Sequence, residues 1–280
     1  MATADVLKVW LPPAAVPIVR RLWHGLRGTR PEWEYVGTSW RAPPGGGWAD
    51  PSVAATERAR WDDFAALLRA PGPLGVVHEA PRITGNDIAA QNTLLAFAYV
   101  VARAGHGRER VAVLDWGGGM GHYGLLARAT SPELALDYTV VDLPSLCAAG
   151  RTALPEVAFV EDGAAALGAR YDLVVASSSL QYTEHWRALL DRLAAASRVW
   201  LYLTRIPLVT RAPTHVVVQR PHRVGYATEY VGWVFNRAEF LTAVAATGAV
   251  LEREFLIDGA ADPAGAPEPF VTRGFLFRAR

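Results

Sequence analysis

The order of apolar and polar residues changes character twice along the chain. From Pro51, Trp61, Phe64, Ala65 and Leu68 recur at helical spacing, and Pro-Gly-Pro at 71–73 ends that run. A second helix is predicted from Asp87, a good N-cap type, to Gly105, a good C-terminal stop. Its inward stripe would be Ile88, Leu95, Tyr99 and Ala102, with Gln91 and Asn92 on or beside it. Those two amides then need partners, in the backbone or in a ligand. Beyond Arg110, short apolar runs predict strands over 111–115, 136–142, 157–162, 171–177 and 199–204, with a helix over 183–194 before the last. Apolar strands separated by helical segments predict a parallel sheet covered on both faces.

The two ends differ from this middle. The first fifty residues are rich in Pro, Trp and Arg, run into Pro-Pro-Gly-Gly-Gly at 43–47, and read as an irregular wrapping segment. Six of the ten tryptophans precede residue 62, either packing a small N-terminal layer or lining an aromatic pocket. Toward the other end, 215–220 reads as extended, and Asn236 and Glu239 have capping-box spacing at the start of a helix. Strands over 249–257 and 270–278 flank a Pro/Gly/Ala-rich loop and suggest an antiparallel edge. There is no internal repeat.

Composition narrows the class. At 280 residues, 51% hydrophobic and 20% charged, the chain can bury one large core plus a smaller cap. A net charge of +1 gives no electrostatic reason to expect nucleic acid or a membrane surface. The lone Cys147 cannot form an intramolecular disulfide, which suits a reducing cytoplasm. The N-terminus lacks the long apolar run of a secretory signal, and no stretch is long enough to span a bilayer. The expectation is a soluble, cytoplasmic protein. His78-Glu79 and His215 are isolated, so no metal is expected, and His24 and His106 sit beside glycines in loops.

Candidate chemistry concentrates in Leu114–Gly124, written L-D-W-G-G-G-M-G-H-Y-G. A strand, a glycine turn and a helix N-terminus bring backbone N–H groups and a positive dipole end to a ligand. Its last part also satisfies the G-x-G-x-x-G spacing of dinucleotide sites, so NAD is one reading. Asp115, two positions before the first glycine, would repel a pyrophosphate but attract an ammonium or sulfonium. Asp142, ending the next strand, suits a ribose diol in either ligand. Glu161-Asp162 could reach an adenine edge or form a turn before Gly163, with Asp162 capping a short helix.

The segments V-L-D-W-G-G-G-M-G, T-V-V-D-L-P and Y-D-L-V-V-A-S-S-S-L-Q-Y resemble, in order and spacing, the first, second and fourth motifs of class I S-adenosylmethionine (SAM)-dependent methyltransferases. The two closing strands are similar to that family's reversed seventh strand. This resemblance covers about residues 110–280. A narrower one, from about residue 48 to the end, is to a bacterial group of methyltransferase-like proteins found among biosynthetic genes, with substrates largely unassigned. It rests on L-G-V-V-H-E-A (74–80), L-Y-L-T-R-I-P (201–207) and Y-A-T-E-Y-V-G-W (226–233).

The resemblance implies an α/β, Rossmann-like sheet of seven strands over residues 110–280, mostly parallel with the last strand reversed, behind an N-terminal wrapping and helical cap over 1–109. It implies SAM as cofactor. Asp115, Gly117, Gly119 and Gly121 would hold its methionyl end, with Trp116 and Gly118 completing the loop. Asp142 would take the ribose, Leu143 and Asp162 would border adenine, and Ser177 and Ser178 would lie under the sulfonium. His122, in the first helical turn, departs from the family pattern. It could meet the cofactor carboxylate, face the substrate, or make a plain helix contact.

Methyl transfer needs alignment of nucleophile, methyl and sulfur, and a base only where the nucleophile must lose a proton. Substrate groups belong at the carboxyl ends of the parallel strands. That points to Gln181, Tyr182 and His185 after the fourth strand, and Thr204 and Arg205 after the fifth. Residues 219–222 and the run from Tyr226 to Trp233 could close over the pocket. His222 is the first choice for a base and Tyr182 the second, although an exposed loop histidine is the commoner outcome. Arg205 could bind a substrate carboxylate or phosphate, or make a structural ion pair.

The expected activity is methyl transfer to an oxygen, nitrogen or carbon of a small biosynthetic intermediate, a sugar or secondary metabolite. One alternative is an NAD-dependent oxidoreductase, against which stand Asp115 and the absence of a Tyr-x-x-x-Lys pair, Lys8 being the single lysine. Another is a non-catalytic SAM-fold protein that binds a partner or senses a metabolite. Ser177-Ser178-Ser179 lacks the G-x-S-x-G elbow of a hydrolase. The apolar N-terminal layer could serve a homodimer as well as a lid.

Overall fold

The computed structural model describes residues 30–42, 45–71 and 88–280. Lys8, His24, the segment 74–80 with His78 and Glu79, and the Asp87 cap lie outside the described residues. The described residues open with β1 (Trp33–Gly37), α1 (Pro51–Arg69) and α2 (Ile88–Gly105). Alternation follows: β2 (Arg110–Trp116), α3 (His122–Thr130), β3 (Ala135–Val141), α4 (Pro144–Ala153) and β4 (Ala158–Val160). It continues through α5 (Gly163–Ala166), β5 (Tyr171–Ser177), α6 (Trp186–Ala196) and β6 (Ser197–Val209). The last elements are β7 (His215–Gln219), β8 (Tyr230–Asn236), α7 (Arg237–Ala246), β9 (Val250–Ala261) and β10 (Phe270–Arg278).

Strands β4-β3-β2-β5-β6 run parallel, and β10 lies antiparallel between β6 and β9. These seven strands are the expected Rossmann-like sheet with its reversed strand. The interiors of β2 and β5 are mostly Val, Leu and Ala because helices cover both faces. On one face α2 and α3 supply Phe97, Val100 and Leu126; on the other, α6 and α7 supply Trp186, Leu190 and Phe240.

Three further strands extend the sheet. β6 runs past the predicted 199–204, and its last residues, Leu208 and Val209, pair parallel with Phe235 and Asn236 of β8. β7 pairs with β8, and β1 with β7, both antiparallel. Trp33–Gly37 is therefore a strand where the sequence predicts irregular wrapping. Its own pattern, W-E-Y-V-G, is short, and its partner β7 is buried throughout and supplies the template.

The inward face of α2 is the opposite of the predicted one. Ile88 and Leu95 are 69% and 66% exposed, Tyr99 and Ala102 also face outward, and Phe97, Val100, Val101 and Ala104 fill the core. The helix is apolar nearly all round, so periodicity alone does not select a face. Gln91 is consequently exposed, while Asn92 donates to the Ile257 carbonyl at 3.3 Å, which settles it as structural. Asn236 caps α7 through the amides of Ala238 and Glu239, but no reciprocal capping box forms, because Glu239 instead accepts from Thr214. On α1, Asp50 caps the Ser52 amide at 2.9 Å, and Trp61, Phe64 and Ala65 point inward as predicted.

Candidate functional site

The turns after β2, β3 and β5 meet beneath α1 and enclose a cavity of about 480 Å³. Its floor is the glycine loop. Gly117, Gly119 and Gly121 have φ of 69°, 61° and 91°, a region that strains any residue with a Cβ. A Cβ at Gly118 would stand 2.5 Å from the Asp115 carboxyl, so this glycine lets the loop close over a buried acid. A Cβ at Gly119 would meet only His122 Nδ1, at 3.9 Å, and would otherwise stand in the cavity. That is a cradle shaped for close approach of a ligand. Gly121 instead caps α3 against Leu154 and Phe159 and does not line the cavity.

Asp115 lies under the loop, between Val140 of β3 and Val175 of β5, and is fully buried. Its Oδ2 accepts from the Tyr138 hydroxyl at 3.0 Å, and its Oδ1 has no hydrogen-bond partner. Burial pushes this carboxyl up to about 7, and the nearby Asp142 adds to the rise. Asp115 therefore does not line the cavity, and its unpaired oxygen is enclosed beneath Gly118. Asp142 lines the cavity, accepting from the Gly119 and Leu143 amides at 2.7 Å each. Burial raises its carboxyl too, and the two amides oppose that rise. Each carboxylate oxygen keeps a further acceptor site, as a diol requires.

Trp116, Leu143, Ser177 and Ser178 also line the cavity. The Trp116 ring lies so close to Gly163 that a Cβ there would come within 2.5 Å. Asp162 does not line it; it caps α5 through the Ala164 and Ala165 amides at 2.9 and 3.0 Å, while its neighbours Glu161 and Gly163 face the cavity. Tyr123, at the base, shares a 2.8 Å hydrogen bond with Ser177.

Just past the last paired residues of β5 and β6, Ser177 and Thr204, Ser178 and Arg205 hold φ of 50° and 58°. Left-handed backbone costs a non-glycine residue about 1–2 kcal/mol. Gln181 braces both, its Nε2 donating to Ser178 Oγ at 3.0 Å and to the Arg205 carbonyl at 3.2 Å. It is therefore buried behind the cavity rather than lining it. Thr204 is likewise buried and outside.

Arg205, Tyr182 and Tyr226 line the cavity. Tyr182 donates its hydroxyl to Gln219 Oε1 at 2.8 Å, which makes it a wall with a committed proton. His222, the first choice for a base, is exposed outside the cavity, on a 3-10 turn, with Nδ1 3.1 Å from the Tyr226 carbonyl. The chain reverses at Gly225, so Tyr226 points in while His222 points out. His185 and Trp233 border a separate surface groove with Thr38 and Glu239.

Among the cavity residues that sequence reasoning missed are Trp48 and Glu57. Trp48 stacks on Tyr230 with centroids 4.0 Å apart and meets Tyr182 edge-on at 5.1 Å. The early cluster of tryptophans thus serves both readings, since Trp61 packs in the core. Glu57 is buried on the apolar face of α1, one turn before Trp61, and a carboxylate on such a stripe was the available signal. Its Oε2 is 3.3 Å from His122 Nε2, and its Oε1 accepts from the Tyr226 hydroxyl. Trp61 and Phe64 hold the His122 ring at centroid distances of 5.1 and 4.9 Å. Burial pushes the imidazole down to about 4.

Among the described residues no group of His, Cys, Asp and Glu could hold a metal ion, and no helix is long and apolar enough to cross a membrane. No curated protein matches the chain. Similar solved structures include magnesium protoporphyrin IX methyltransferase (ChlM) from Synechocystis PCC 6803 with bound SAH, at 15% identity over 81% of this chain and 98% of that one, TM-score 0.48. Another is 1,6-didemethyltoxoflavin-N1-methyltransferase from Burkholderia thailandensis, at 15% identity over 89% of this chain and 99% of that one, TM-score 0.47. The family model described as "Methyltransferase domain" matches residues 87–251, more than half of the chain, including the whole glycine loop. The chain therefore belongs to the methyltransferase-domain family, with the class I fold and S-adenosylmethionine as its cofactor.

Proposed function

We propose that this chain transfers a methyl group from SAM to a small-molecule biosynthetic intermediate. The observation that carries this reading is one cavity with two unlike ends. One end is the glycine cradle with Asp142; the other is a chamber walled by Trp48, Tyr182 and Tyr226 with Arg205 beside it. SAM supplies the electrophilic methyl group. The loop, with Asp115 below it, holds the cationic methionyl end, Asp142 takes the ribose diol, and Trp116 and Leu143 flank the adenine. Tyr182, Tyr226 and Trp48 hold an acceptor of modest size and keep water out. Helix α1 acts as the cap, since it carries Glu57 over the cavity.

The test is mass spectrometry of the purified chain incubated with SAM and pooled small-molecule intermediates. The expected result is a methyl-sized mass gain accompanied by S-adenosylhomocysteine (SAH). SAM binding without methylation of any pooled compound would shift the reading to a metabolite-binding protein of the same fold. Calorimetry that finds NADH bound tightly and SAM not at all would overturn it.

A further inference from the structure

One wall of the cavity has a ring face that no aromatic packing inside the protein uses. Resting on the methyltransferase reading above, we propose that Trp48 is the stacking platform for the methyl acceptor, which carries a flat aromatic or conjugated ring.

The turn that presents Trp48 is fixed from both sides. Residues Gly47–Ala49 form a 3-10 turn whose first residue has φ of 56°, a conformation that suits glycine. The Gly47 carbonyl accepts from the hydroxyl of the buried Thr228 at 3.1 Å, and Asp50, next in the chain, caps α1. Behind the indole, Tyr230 stacks in parallel, with centroids 4.0 Å apart and planes within 2°. Tyr182 and Tyr226 meet it at 68° and 64°, with centroids 5.1 and 6.4 Å away. Both also lie close to Tyr230, at 5.8 and 6.4 Å. A ring on the far face of Trp48 would stand much farther from Tyr230 than that, so the two tyrosines flank the indole at its edges. The face turned away from Tyr230 therefore meets no other ring among the described residues. Trp48, Tyr182 and Tyr226 line the cavity, whereas Tyr230 does not. The uncovered face thus looks into the acceptor chamber, with a tyrosine on two of its sides.

Such a platform discriminates by shape. A flat ring stacks on the indole over its whole area, and an aromatic pair gains more than its buried area alone supplies. A puckered, saturated ring of the same size touches it at a few atoms only. Because Tyr230, Tyr182 and Tyr226 already hold the indole, stacking orders little that was free. Three rings around a chamber also suit a cation. The acceptor, however, lies against the sulfonium of SAM, where a second positive charge is repelled. The ring it carries is therefore neutral.

The experiment titrates the SAH-saturated full chain with phenol and with cyclohexanol, read by saturation-transfer NMR. The two alcohols are similar in size, and only phenol is flat. Phenol should bind about two- to tenfold more tightly, the range that one aromatic pair supplies. Trp48→Leu should abolish that preference, and Trp48→Phe, which keeps a flat face, should retain at least part of it. In wild type labelled at the indole nitrogens, phenol should shift the one signal that Trp48→Phe removes, which decides the question even where the leucine variant does not fold. Equal binding of the two alcohols, no binding of phenol, a preference that survives in Trp48→Leu, or an unmoved Trp48 signal would each overturn the proposal. So would tetramethylammonium bound more tightly than phenol, which would make the three rings a cation cage. Calorimetry with SAH on the same samples separates the two levels. No SAH binding by the wild type counts against the methyltransferase reading, and SAH binding without a preference for phenol counts against Trp48 alone.

Discussion

At the scale of single residues, the loop chemistry follows from where side chains are forbidden. Gly119→Ala would place a methyl group in the cavity and force a residue with a Cβ into φ of 61°, at a cost of about 1–2 kcal/mol. We expect SAH affinity to fall by about tenfold or more, since about 1.4 kcal/mol is a factor of ten. The melting temperature should fall only modestly, and unchanged SAH affinity by calorimetry would mean that the cradle holds something else. Asp115 makes a pH prediction whose sign is opposite to that of a salt-bridged acid. Its folded-state value of about 7 exceeds the ordinary 3.8, so the ligand-free fold binds its proton more tightly than the unfolded chain. Its destabilising effect is absent below about pH 4, grows as pH rises to about 7, and can reach the order of 4 kcal/mol. Asp115→Asn should therefore gain stability over the wild type toward pH 8 and lose that advantage toward pH 4.5, read by urea midpoints without ligand. Parallel curves for the two proteins would refute it. Asp115 and Asp142 were legible because an acid beside a glycine turn has few structural uses, whereas Glu57 hid among the apolar positions of a helix.

At the scale of elements, strands were easier to read than faces. Residues 171–177 and 270–278 match β5 and β10 in full, since a short apolar run bounded by polar residues has only one way to pair inside a covered sheet. The α2 stripe failed because I-A-A-Q-N-T-L-L-A-F-A-Y-V-V-A is apolar on every side, and the choice of face belongs to β9 and the sheet beneath it. Two substitutions measure that choice. Leu95→Gln, on the exposed face, should change stability by no more than about 0.5 kcal/mol. Phe97→Ala, fully buried against Tyr123 with centroids 4.6 Å apart, should cost about 3–5 kcal/mol. Denaturant unfolding of both proteins is the check, and equal losses would put the helix in the other orientation. β1 was invisible for a related reason: its pairing is dictated by a strand that lies far downstream in sequence.

At the scale of the whole molecule, the cavity lies between α1 with Trp48 and the turns of the class I sheet, closed on one side by Tyr226 from the connection between β7 and β8. The class I sheet and the extra strands β1, β7 and β8 share a covalent strand, β6, and the 3-10 turn Leu180–Tyr182 that follows β5 links them further. From this turn Gln181 reaches back to the ends of β5 and β6, and Tyr182 reaches forward to Gln219 of β7. Next to it, the Thr183 carbonyl accepts from the Trp233 indole of β8 at 3.1 Å. A break at Tyr182 should therefore loosen the acceptor end and leave the cofactor end as it was. Tyr182→Phe keeps the ring against Trp48 but removes the donor from Gln219, a side chain only 5% exposed. Leaving that amide oxygen unsatisfied costs about 1–3 kcal/mol, and each kcal/mol lowers the melting temperature of a chain this size by about 2–4 °C. SAH affinity should stay within about twofold, because neither the glycine loop nor Asp142 touches Tyr182, and 1.4 kcal/mol would be needed for a tenfold change. Hydrogen exchange should rise in β7 and β8 and not in β2 or β3. A variant that lost SAH binding in proportion to its stability would instead show that the two ends of the cavity open as one unit.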